Sequence, residues 1–324
     1  MKFTAISHPN IALIKYWGKA DEKLNIPLNN NISITLDKLT TTTTVEFSEK
    51  YPKDSLILNK KETANLERVE RVLNEIRKMA GIKDKAKIVS ENNFPTGAGL
   101  ASSSSGFSAL ALAASKAAGL NLDKKELSIL ARLGSGSACR SIYGGFVEWL
   151  AGKKSEDSYA IQIAKPDYWD LKILVTIIKE DEKEVGSTKG HSLAKENPFL
   201  ETRLKILDKY LKDVRNGIKE KDFTKVGKAA EFDCISMHAT MMTSIPMLLY
   251  WTTGTIRVIN AVKKMREEGL ECYFTIDAGP NVKVLCLPEN AKKIESKLRE
   301  VKGVKNVIEN RPGEDARISE DHLF

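Results

Sequence analysis

Apolar and polar residues alternate in short runs along the first sixty positions of the chain. The runs are rich in β-branched and aromatic residues and are separated by turn residues, which is typical of strands. They span residues 3–7, 11–17, 32–36, 40–47 and 55–58. This pattern predicts that an antiparallel sheet opens the chain.

The hydrophobic period then changes to that of a helix. Apolar residues recur at helical spacing from Leu66 to Met79, and Gly81 follows as a stop signal, so an amphipathic helix is predicted over residues 63–79. A second, alanine-rich helix is predicted to run up to a C-cap at Gly119.

A capping signal marks the helix that comes next. Asp123 and Glu126 are spaced as a capping box, which predicts a helix over residues 127–133 that ends at Gly134. Strands are predicted around these helices at residues 87–90, 145–150, 159–163 and 171–178.

Long helical patterns dominate the second half of the chain. They are predicted near residues 199–217, 222–240 and 246–268. Two strands at 272–276 and 282–287, a helix at 289–300 and a strand at 304–308 then predict a small α+β layer. The change of pattern predicts two domains, residues 1–186 and residues 187–324, in an α+β protein.

Composition places the chain among globular proteins. It has 324 residues, of which 42% are hydrophobic and 29% charged, enough for two domains and too apolar for a disordered chain. No uncharged apolar run approaches the roughly 18 residues of a membrane helix, and the first residues lack the apolar block of a signal peptide. We therefore expect a cytoplasmic protein without a membrane partner.

The charged residues and cysteines exclude further classes of function. The net charge is +8, but Lys and Arg alternate with Glu and Asp instead of forming the basic block that nucleic-acid binding requires. A basic cleft for a small polyanionic substrate accounts for the charge equally well. The four cysteines form no Cys-x-x-Cys pair, so neither a zinc site nor a redox motif is indicated.

A glycine- and serine-rich stretch from Pro95 to Ser105 is the first candidate site. Small residues directly before a helix let the backbone approach a ligand, and the free amides and helix dipole attract phosphate. The stretch lacks the Gly-Lys-Ser/Thr of a Walker A loop, and Ser102 stands where a dinucleotide fingerprint needs its third glycine. Taken alone, an ordinary capped turn explains it as well as a phosphate site does.

Four segments together resemble a known family. The stretch from Pro95 resembles the phosphate loop of the GHMP small-molecule kinases, Pro-x-x-x-Gly-Leu-x-Ser-Ser-Ser/Ala. Three more segments are similar to one branch of that superfamily, the diphosphomevalonate decarboxylases. They are residues 10–19 (NIALIKYWGK), 134–141 (GSGSACRS) and 274–281 (FTIDAGPN). Residues 185–188 and 236–240 also look like segments of that family.

The resemblance implies a two-domain GHMP kinase fold. The N-terminal domain would be like domain 2 of ribosomal protein S5, the C-terminal domain would be ferredoxin-like, and the active site would lie between them. The implied reaction is the ATP-dependent decarboxylation of mevalonate 5-diphosphate to isopentenyl diphosphate, with release of ADP, phosphate and CO2. ATP and Mg2+ are the implied cofactors, with Mg2+ arriving on the ATP phosphates. Many relatives are homodimers, so a homodimer is also an expectation.

Three residues would carry the chemistry that the resemblance implies. Asp277 would face the substrate hydroxyl, either as a base or as electrostatic support for a developing positive carbon. Lys15 would sit beside it, keep it ionised and attract phosphate oxygens. Arg140 would hold the substrate carboxylate with a bidentate fork, although a surface ion pair is the favoured reading of this arginine without the family match.

Further contacts follow from the same match. The residues implied for substrate binding are Tyr16, Trp17, Gly18, Lys19, Arg68, Ser135, Gly136, Ser137, Ala138, Cys139, Ser187 and Thr188. Those implied for the ATP phosphates are Gly97, Ala98, Gly99, Leu100, Ser102, Ser103 and Ser104. Tyr16 and Trp17 could equally be core aromatic residues, and for Trp17 that interpretation is preferred. The four histidines lack metal-ligand spacing, and no metal ligand is assigned.

The chain departs from the family pattern in two places, and these departures keep rival functions open. Asn29, Asn30 and Asn31 stand where hydroxyl residues are usual, and Gly186 replaces the first serine of a Ser-Ser pair. A rival enzyme of the same fold would act on mevalonate or its monophosphate, as a decarboxylase or as a 3-kinase. A non-catalytic GHMP-fold binding protein is the alternative from another class, and it would lack the charged trio or the loop that this chain has.

Overall fold

The N-terminal part of the chain is built from short strands and three helices. The computed structural model describes residues 1–94, 101–179, 186–194 and 197–324, without the side chains of residues 187–189. The strands here are β1 (Lys2–Ser7), β2 (Asn10–Ile14), β3 (Lys19–Asp21), β4 (Ile26–Pro27), β5 (Asn31–Thr35), β6 (Thr41–Ser48), β7 (Ser55–Leu58), β8 (Lys61–Glu62), β9 (Lys85–Asn92), β10 (Phe146–Trp149) and β11 (Ala160–Ala164). The helices are α1 (Glu67–Ala80), α2 (Ser102–Ala117) and α3 (Lys124–Gly134).

The C-terminal part is dominated by longer helices. Its elements are β12 (Lys172–Ile177), α4 (Ser187–Ala194), α5 (Leu200–Glu220), α6 (Phe223–Met242), α7 (Thr253–Glu267), β13 (Cys272–Ile276), β14 (Val282–Cys286), α8 (Pro288–Arg299), β15 (Asn306–Asn310) and β16 (Arg317–Ser319). None of the helices that the structure describes is long and apolar enough to cross a membrane. Helices and largely antiparallel strands are thus segregated into layers, and the predicted α+β class is confirmed.

Three sheets of four or more strands form the framework. The six-stranded sheet has the order β16-β1-β6-β9-β7-β8, and all its pairs are antiparallel except β7 with β9. One four-stranded sheet has the order β11-β10-β5-β2, and the other has the order β13-β14-β12-β15. The antiparallel sheet predicted for the start of the chain is therefore divided between two sheets.

Three large apolar cores fill the space between these layers. One lies between the six-stranded sheet and helices α1 to α3, and another lies between the last sheet and helices α7 and α8. The remaining core joins the two halves, since residues of β2, β5 and β10 pack there with residues of β12, α5 and α6. Apolar burial across this junction fixes the end of β2 relative to α6 and β13.

Several element ends differ from the prediction for local reasons. Helix α7 begins at Thr253 and not near 246, because Thr252 and Thr255 form a reciprocal cap there. Helix α1 begins at Glu67, where the Asn65 side chain accepts the Glu67 amide hydrogen bond. The capping box of Asp123 and Glu126 is confirmed, and α3 ends at Gly134 as predicted.

Two further differences concern the strands. Strand β2 ends at Ile14 and not at residue 17, because the next amide donates to a side chain of α6 instead of to the sheet. Strand β16, which was not predicted, returns to pair with β1. Strand β12 pairs with β14 and β15, although it precedes the predicted domain boundary at residue 186. That boundary stays a prediction.

Candidate active site

A cavity of about 610 Å3 lies where the two halves of the chain meet. Its wall is formed by the segment after β2, the starts of α1 and α2, the turn after α3, helix α4 and the turn after β13. This volume lies in the range of ligand sites, roughly 300–1,000 Å3. Lys15, Arg140 and Asp277 all line it, so the structure brings the predicted trio together.

Asp277 is held between two buried lysines. Its Oδ1 lies 2.8 Å from Nζ of Lys15, and its Oδ2 lies 3.1 Å from Nζ of Lys283. The lysine side chains are 1% and 2% exposed, whereas that of Asp277 is 24% exposed. Burial alone would raise the pKa of the Asp277 carboxyl, but the two ammonium charges hold it well below its ordinary value. The cavity therefore contains a carboxylate that is ionised at neutral pH.

The backbone of Lys15 is fixed by residues distant in sequence. Its amide donates to Oδ2 of Asp233 at 2.6 Å, and its carbonyl accepts from Nδ2 of Asn29 at 3.1 Å. Asp233 is fully buried and forms an ion pair with Arg203 at 2.6 Å. This network positions the ammonium of Lys15 through its main chain, and sequence patterns did not indicate Asp233 or Arg203.

Helix α6 also fixes the strand that carries Asp277. Nε2 of His238 lies 3.2 Å from the carbonyl oxygen of Ile276, and the Ile276 amide donates to Sγ of Cys234 at 3.1 Å. Burial lowers the pKa of His238 to about 3, so its imidazole is neutral and can donate to that carbonyl. His238 thus belongs to the packed framework behind the site.

Arg140 is buried, and within the described part of the chain its hydrogen bonds go to neutral side-chain oxygens. Its guanidinium donates to Oδ1 of Asn10 at 2.9 Å, to Oγ of Ser33 at 2.9 Å and to Oδ1 of Asn31. Among the described residues no carboxylate lies within ion-pair distance of it, so the alternative of a surface ion pair is wrong. The amide of Asn31, one of the three asparagines that depart from the family pattern, therefore supports the predicted carboxylate-binding arginine.

Helix α2 begins at the cavity. Its N-cap residue, Ala101, has a left-handed backbone with φ of 56°. The Ala101 side chain makes no capping hydrogen bond, so the first turn of the helix begins at the cavity without a capping side chain. Ser102 and Ser103 line the cavity, and Oγ of Ser103 lies 3.2 Å from Oγ of Ser135. Gly97, Ala98, Gly99 and Leu100, which were predicted to bind the ATP phosphates, lie outside the described residues.

One end of the cavity is rich in cations. Lys19, Lys23, Arg68 and Arg71 line it together with the carboxylates of Glu22 and Glu67. Arg68 is held there by a 2.7 Å hydrogen bond from its Nε to the carbonyl of Gly134 and by the ring of Phe107. The structure therefore places the predicted Lys19 and Arg68 in the same cavity lining, together with Lys23 and Arg71, which the sequence did not indicate.

Aromatic rings form another part of the wall. The Tyr16 hydroxyl is buried and has no hydrogen-bond partner among the described residues. The ring of His191 on α4 lies 4.1 Å from that of Tyr16 and 4.8 Å from that of Trp17, and its Nδ1 accepts from the Gly18 amide at 3.0 Å. Trp17 is 2% exposed, so it lines the cavity and is also a core residue.

The remaining residues predicted for the site fall into three groups. Ser137 and Gly136 line the cavity, and a side chain at Gly136 would collide with Tyr16. Four residues lie behind the wall and outside the cavity lining: Gly18, Ser104, Ala138 and Cys139. The side chains of Ser187 and Thr188 are outside the description, although α4 begins there and Gly186 lines the cavity.

Comparisons with known proteins identify the family to which this chain belongs. Residues 7–160 match the family described as diphosphomevalonate decarboxylase-like N-terminal domain, and residues 173–321 match the mevalonate 5-diphosphate decarboxylase C-terminal domain. The diphosphomevalonate decarboxylase of Candida albicans is 38% identical over 308 residues, which cover 89% of this chain and 85% of the relative.

Solved structures agree with the sequence relatives. The mevalonate diphosphate decarboxylase of Staphylococcus aureus superposes with a TM-score of 0.93 at 40% identity, covering 98% of each chain. A structure named MDDEF, in complex with MVAPP, AMPPCP and magnesium, gives the same TM-score and identity over 99% of each chain. The predicted two-domain GHMP kinase fold is thereby confirmed. The chain belongs to the diphosphomevalonate decarboxylase family.

Proposed function

We propose that this cavity carries out the ATP-dependent decarboxylation of mevalonate 5-diphosphate, with Lys15, Asp277 and Arg140 as the residues that act on the substrate. The observation that carries this assignment is their convergence in one cavity with the start of α2. The products would be isopentenyl diphosphate, ADP, phosphate and CO2. The complex of MDDEF with MVAPP, AMPPCP and magnesium supports this pairing of substrates.

The substrate diphosphate would lie at the cationic end of the cavity. Lys19, Lys23, Arg68 and Arg71 exceed the two carboxylates there by two charges, which suits a polyanion. The buried Tyr16 hydroxyl would donate to one of its oxygens, which would satisfy a polar group that otherwise carries a desolvation cost. This end favours the diphosphate over mevalonate itself, which carries no phosphate.

The ATP phosphates would bind at the first turn of α2, where Ser102 and Ser103 line the cavity at the positive end of the helix dipole. The hydroxyl oxygens of Ser102 and Ser103 at this turn are hard donors of the kind that Mg2+ prefers. Among the described residues no three His, Cys, Asp or Glu side chains are clustered as metal ligands. Magnesium bound with ATP would neutralise charge on the phosphates.

The reaction would begin with phosphorylation of the 3-hydroxyl. Lys15 would align the γ-phosphoryl group, while Asp277 would orient the attacking hydroxyl. The low pKa of Asp277 makes it a weak base at neutral pH, which favours an electrostatic role over full proton removal. ADP would leave with the electrons of the broken P–O bond, and the hydroxyl proton would pass to a phosphate oxygen. The new C–O–P linkage would convert a poor leaving group into phosphate.

Carbon dioxide would then leave as the C–O bond breaks. Phosphate would depart with the bonding electrons, and the electron pair of the bond between carbon and the carboxylate would form the alkene. The ionised Asp277 would stabilise positive charge on the carbon. Arg140, fixed by Asn10, Asn31 and Ser33, would hold the carboxylate in the plane from which CO2 departs.

An assay with three candidate substrates tests this function. The purified protein, ATP and Mg2+ would be incubated separately with mevalonate, its 5-phosphate and its 5-diphosphate, and ADP and CO2 would be measured. We expect equimolar ADP and CO2 with the diphosphate alone. ADP without CO2 would identify a 3-kinase, and turnover only with the monophosphate would identify the rival decarboxylase.

Asp277→Asn is the matched variant for that assay. We expect it to abolish turnover while the Kd for ATP, measured by calorimetry, changes little. Unchanged turnover would remove Asp277 from the mechanism. The cytoplasmic location and the homodimer stay predictions.

A further inference from the structure

Lys283 is a buried cation that the proposed reaction does not use. It is the one charged residue of β14, its side chain is 2% exposed, and it lies outside the cavity lining. Its Nζ lies 3.1 Å from Oδ2 of Asp277 and 3.3 Å from the carbonyl oxygen of Asn281. A lysine in such a place requires a compensating charge, which Asp277 provides.

The hairpin of β13 and β14 brings the two residues together. Thr275 is the register partner of Lys283, and Asp277 follows Thr275 by two positions. Residues two apart lie on one face of an extended chain, and diagonal neighbours across a strand pair are within reach of a long side chain. The turn between the strands therefore places the Lys283 ammonium beside Oδ2, the oxygen that Lys15 does not contact.

The two lysines contact different oxygens of Asp277 and face different surroundings. Lys15 lines the cavity and contacts Oδ1, whereas Lys283 lies outside the lining and contacts Oδ2. When the ammonium of Lys15 binds a phosphate oxygen, it stabilises the Asp277 carboxylate less, because its charge then interacts with both anions. A single lysine would then leave the carboxylate poorly compensated in a partly buried place, and burial favours its protonated form.

We propose that Lys283 is a positioning residue for the reaction, which holds Oδ2 of Asp277 and keeps this carboxylate ionised while Lys15 engages the phosphates of the ligand. The inference rests on the proposed role of Asp277. It adds a residue that never touches the substrate and acts on the reaction through the carboxylate alone.

The test compares Lys283→Met with a matched control, Lys172→Met. Lys172 lies on the adjacent strand β12 of the same sheet and pairs with Asp170, whose side chain is 62% exposed. Both variants remove one positive charge from this sheet, but only Lys283→Met removes one beside Asp277. The kcat and KM of each protein would be measured between pH 4 and pH 9. We expect the wild-type kcat to show no limb from Asp277 in this range, because the two ammonium charges hold its pKa below it. Lys283→Met is expected to lose kcat toward the acid end, because burial raises the pKa of Asp277 once one of the two cations is gone.

The expected pattern separates positioning from a merely structural role. Lys283→Met would leave KM for ATP within about twofold of the wild type, and Lys172→Met would show the wild-type profile. No added loss of kcat toward the acid end in Lys283→Met, whether kcat is unchanged or uniformly lower, would overturn the inference. If Lys283→Met does not fold, Lys283→Gln replaces it with the same expected loss.

A spectroscopic readout makes the result independent of turnover. The 13Cγ chemical shift of Asp277, assigned with Asp277→Asn, reports its protonation directly in the absence of substrate. We expect its titration to lie higher in pH in Lys283→Met than in the wild type. A wild type that releases no CO2 would overturn the proposed function, whereas an active wild type with an unshifted Asp277 titration in the variant would overturn only this inference.

Discussion

Arg140 donates a hydrogen bond of 2.9 Å from Nη2 to Oδ1 of Asn10, and Asn10 in turn donates from Nδ2 to Oγ of Ser141 at 2.7 Å. The guanidinium is thus oriented by a side chain that is itself fixed. Burial lowers the pKa of Arg140, yet guanidinium remains protonated, so a full positive charge faces the cavity with only neutral partners beside it. This arrangement is suited to receive an anion.

Replacement of Arg140 by lysine tests whether the planar fork matters. Lysine retains the charge and can use the same neutral acceptors, but it cannot form two parallel hydrogen bonds to a carboxylate. We expect kcat/KM for mevalonate 5-diphosphate to fall at least about 100-fold, equivalent to about 2.7 kcal/mol. Steady-state kinetics with ATP in excess would measure it.

Arg132 provides the control for that replacement. It is also fully buried, its guanidinium bonds to the carbonyls of Leu24 and Ser155, and it lies outside the cavity lining. Arg132→Lys is expected to change kcat/KM less than about threefold, since it touches no substrate. Equal losses in the two variants would mean that Arg140 serves the fold rather than the substrate.

Alanine substitutions at Gly136 and at Gly106 test how tightly the cavity wall beside Tyr16 is packed. A Cβ at Gly136 would lie 2.7 Å from Cε1 and 2.9 Å from Oη of Tyr16, closer than van der Waals contact allows. We expect Gly136→Ala to displace the Tyr16 hydroxyl, to raise KM for the substrate and to cost about 1–3 kcal/mol of stability through overpacking. Kinetics and urea unfolding would measure the two effects.

Gly106 on α2 is the matched position. No described atom lies within 4 Å of the Cβ that alanine would add there. Because glycine weakens a helix interior, Gly106→Ala is expected to stabilise the protein by about 0.5–1 kcal/mol without a change in KM. An unchanged KM in Gly136→Ala would contradict the tight contact with Tyr16.

The sequence predicted local features best where the signal lies within a few residues. The capping box of Asp123 and Glu126 and the stop at Gly81 are of this kind, and both are found in the structure. The start of α7 was missed because apolar residues continue N-terminal of Thr252, and their spacing hid the cap. The start of the helix is therefore set by local capping hydrogen bonds and not by the hydrophobic periodicity.

The trio of the site could be predicted only through the family resemblance, because tertiary packing brings it together. Lys15 and Asp277 are 262 positions apart, and Asp233 is 218 positions from the amide that it binds. Lys283 had a sequence signal that was overlooked, namely a single charge in the otherwise apolar strand β14. Its partner still depends on the register of a hairpin, which side-chain pattern alone does not set.

The buried His238 predicts how stability depends on pH. Its pKa is about 3 in the folded protein, whereas an unperturbed histidine has about 6.5, so the unfolded chain binds a proton that the folded chain excludes. Stability from this group is therefore full above pH 6.5 and is lost as pH falls toward 3. Each unit in that window costs about 1.4 kcal/mol.

His238→Gln removes this titration while its amide can still donate to the Ile276 carbonyl. We expect the free energy of unfolding, measured in urea between pH 7 and pH 4.5, to fall less steeply with acid in the variant, by about 1.4 kcal/mol per unit. Lys15, Lys283 and Asp277 are the charged groups facing His238, and all three are retained. His8, whose pKa is also lowered by burial, contributes equally to both proteins and cancels in the difference.

Exposed His322 serves as the control for this slope. Its Nδ1 lies 2.7 Å from Oγ1 of Thr4 on β1, so His322→Gln removes a histidine that does not contact the framework behind Asp277. It is expected to follow the wild-type pH dependence. If His238→Gln and His322→Gln both kept the wild-type slope, His238 would bind its proton over the same pH range in the folded and the unfolded chain, and exclusion of that proton by burial would be ruled out.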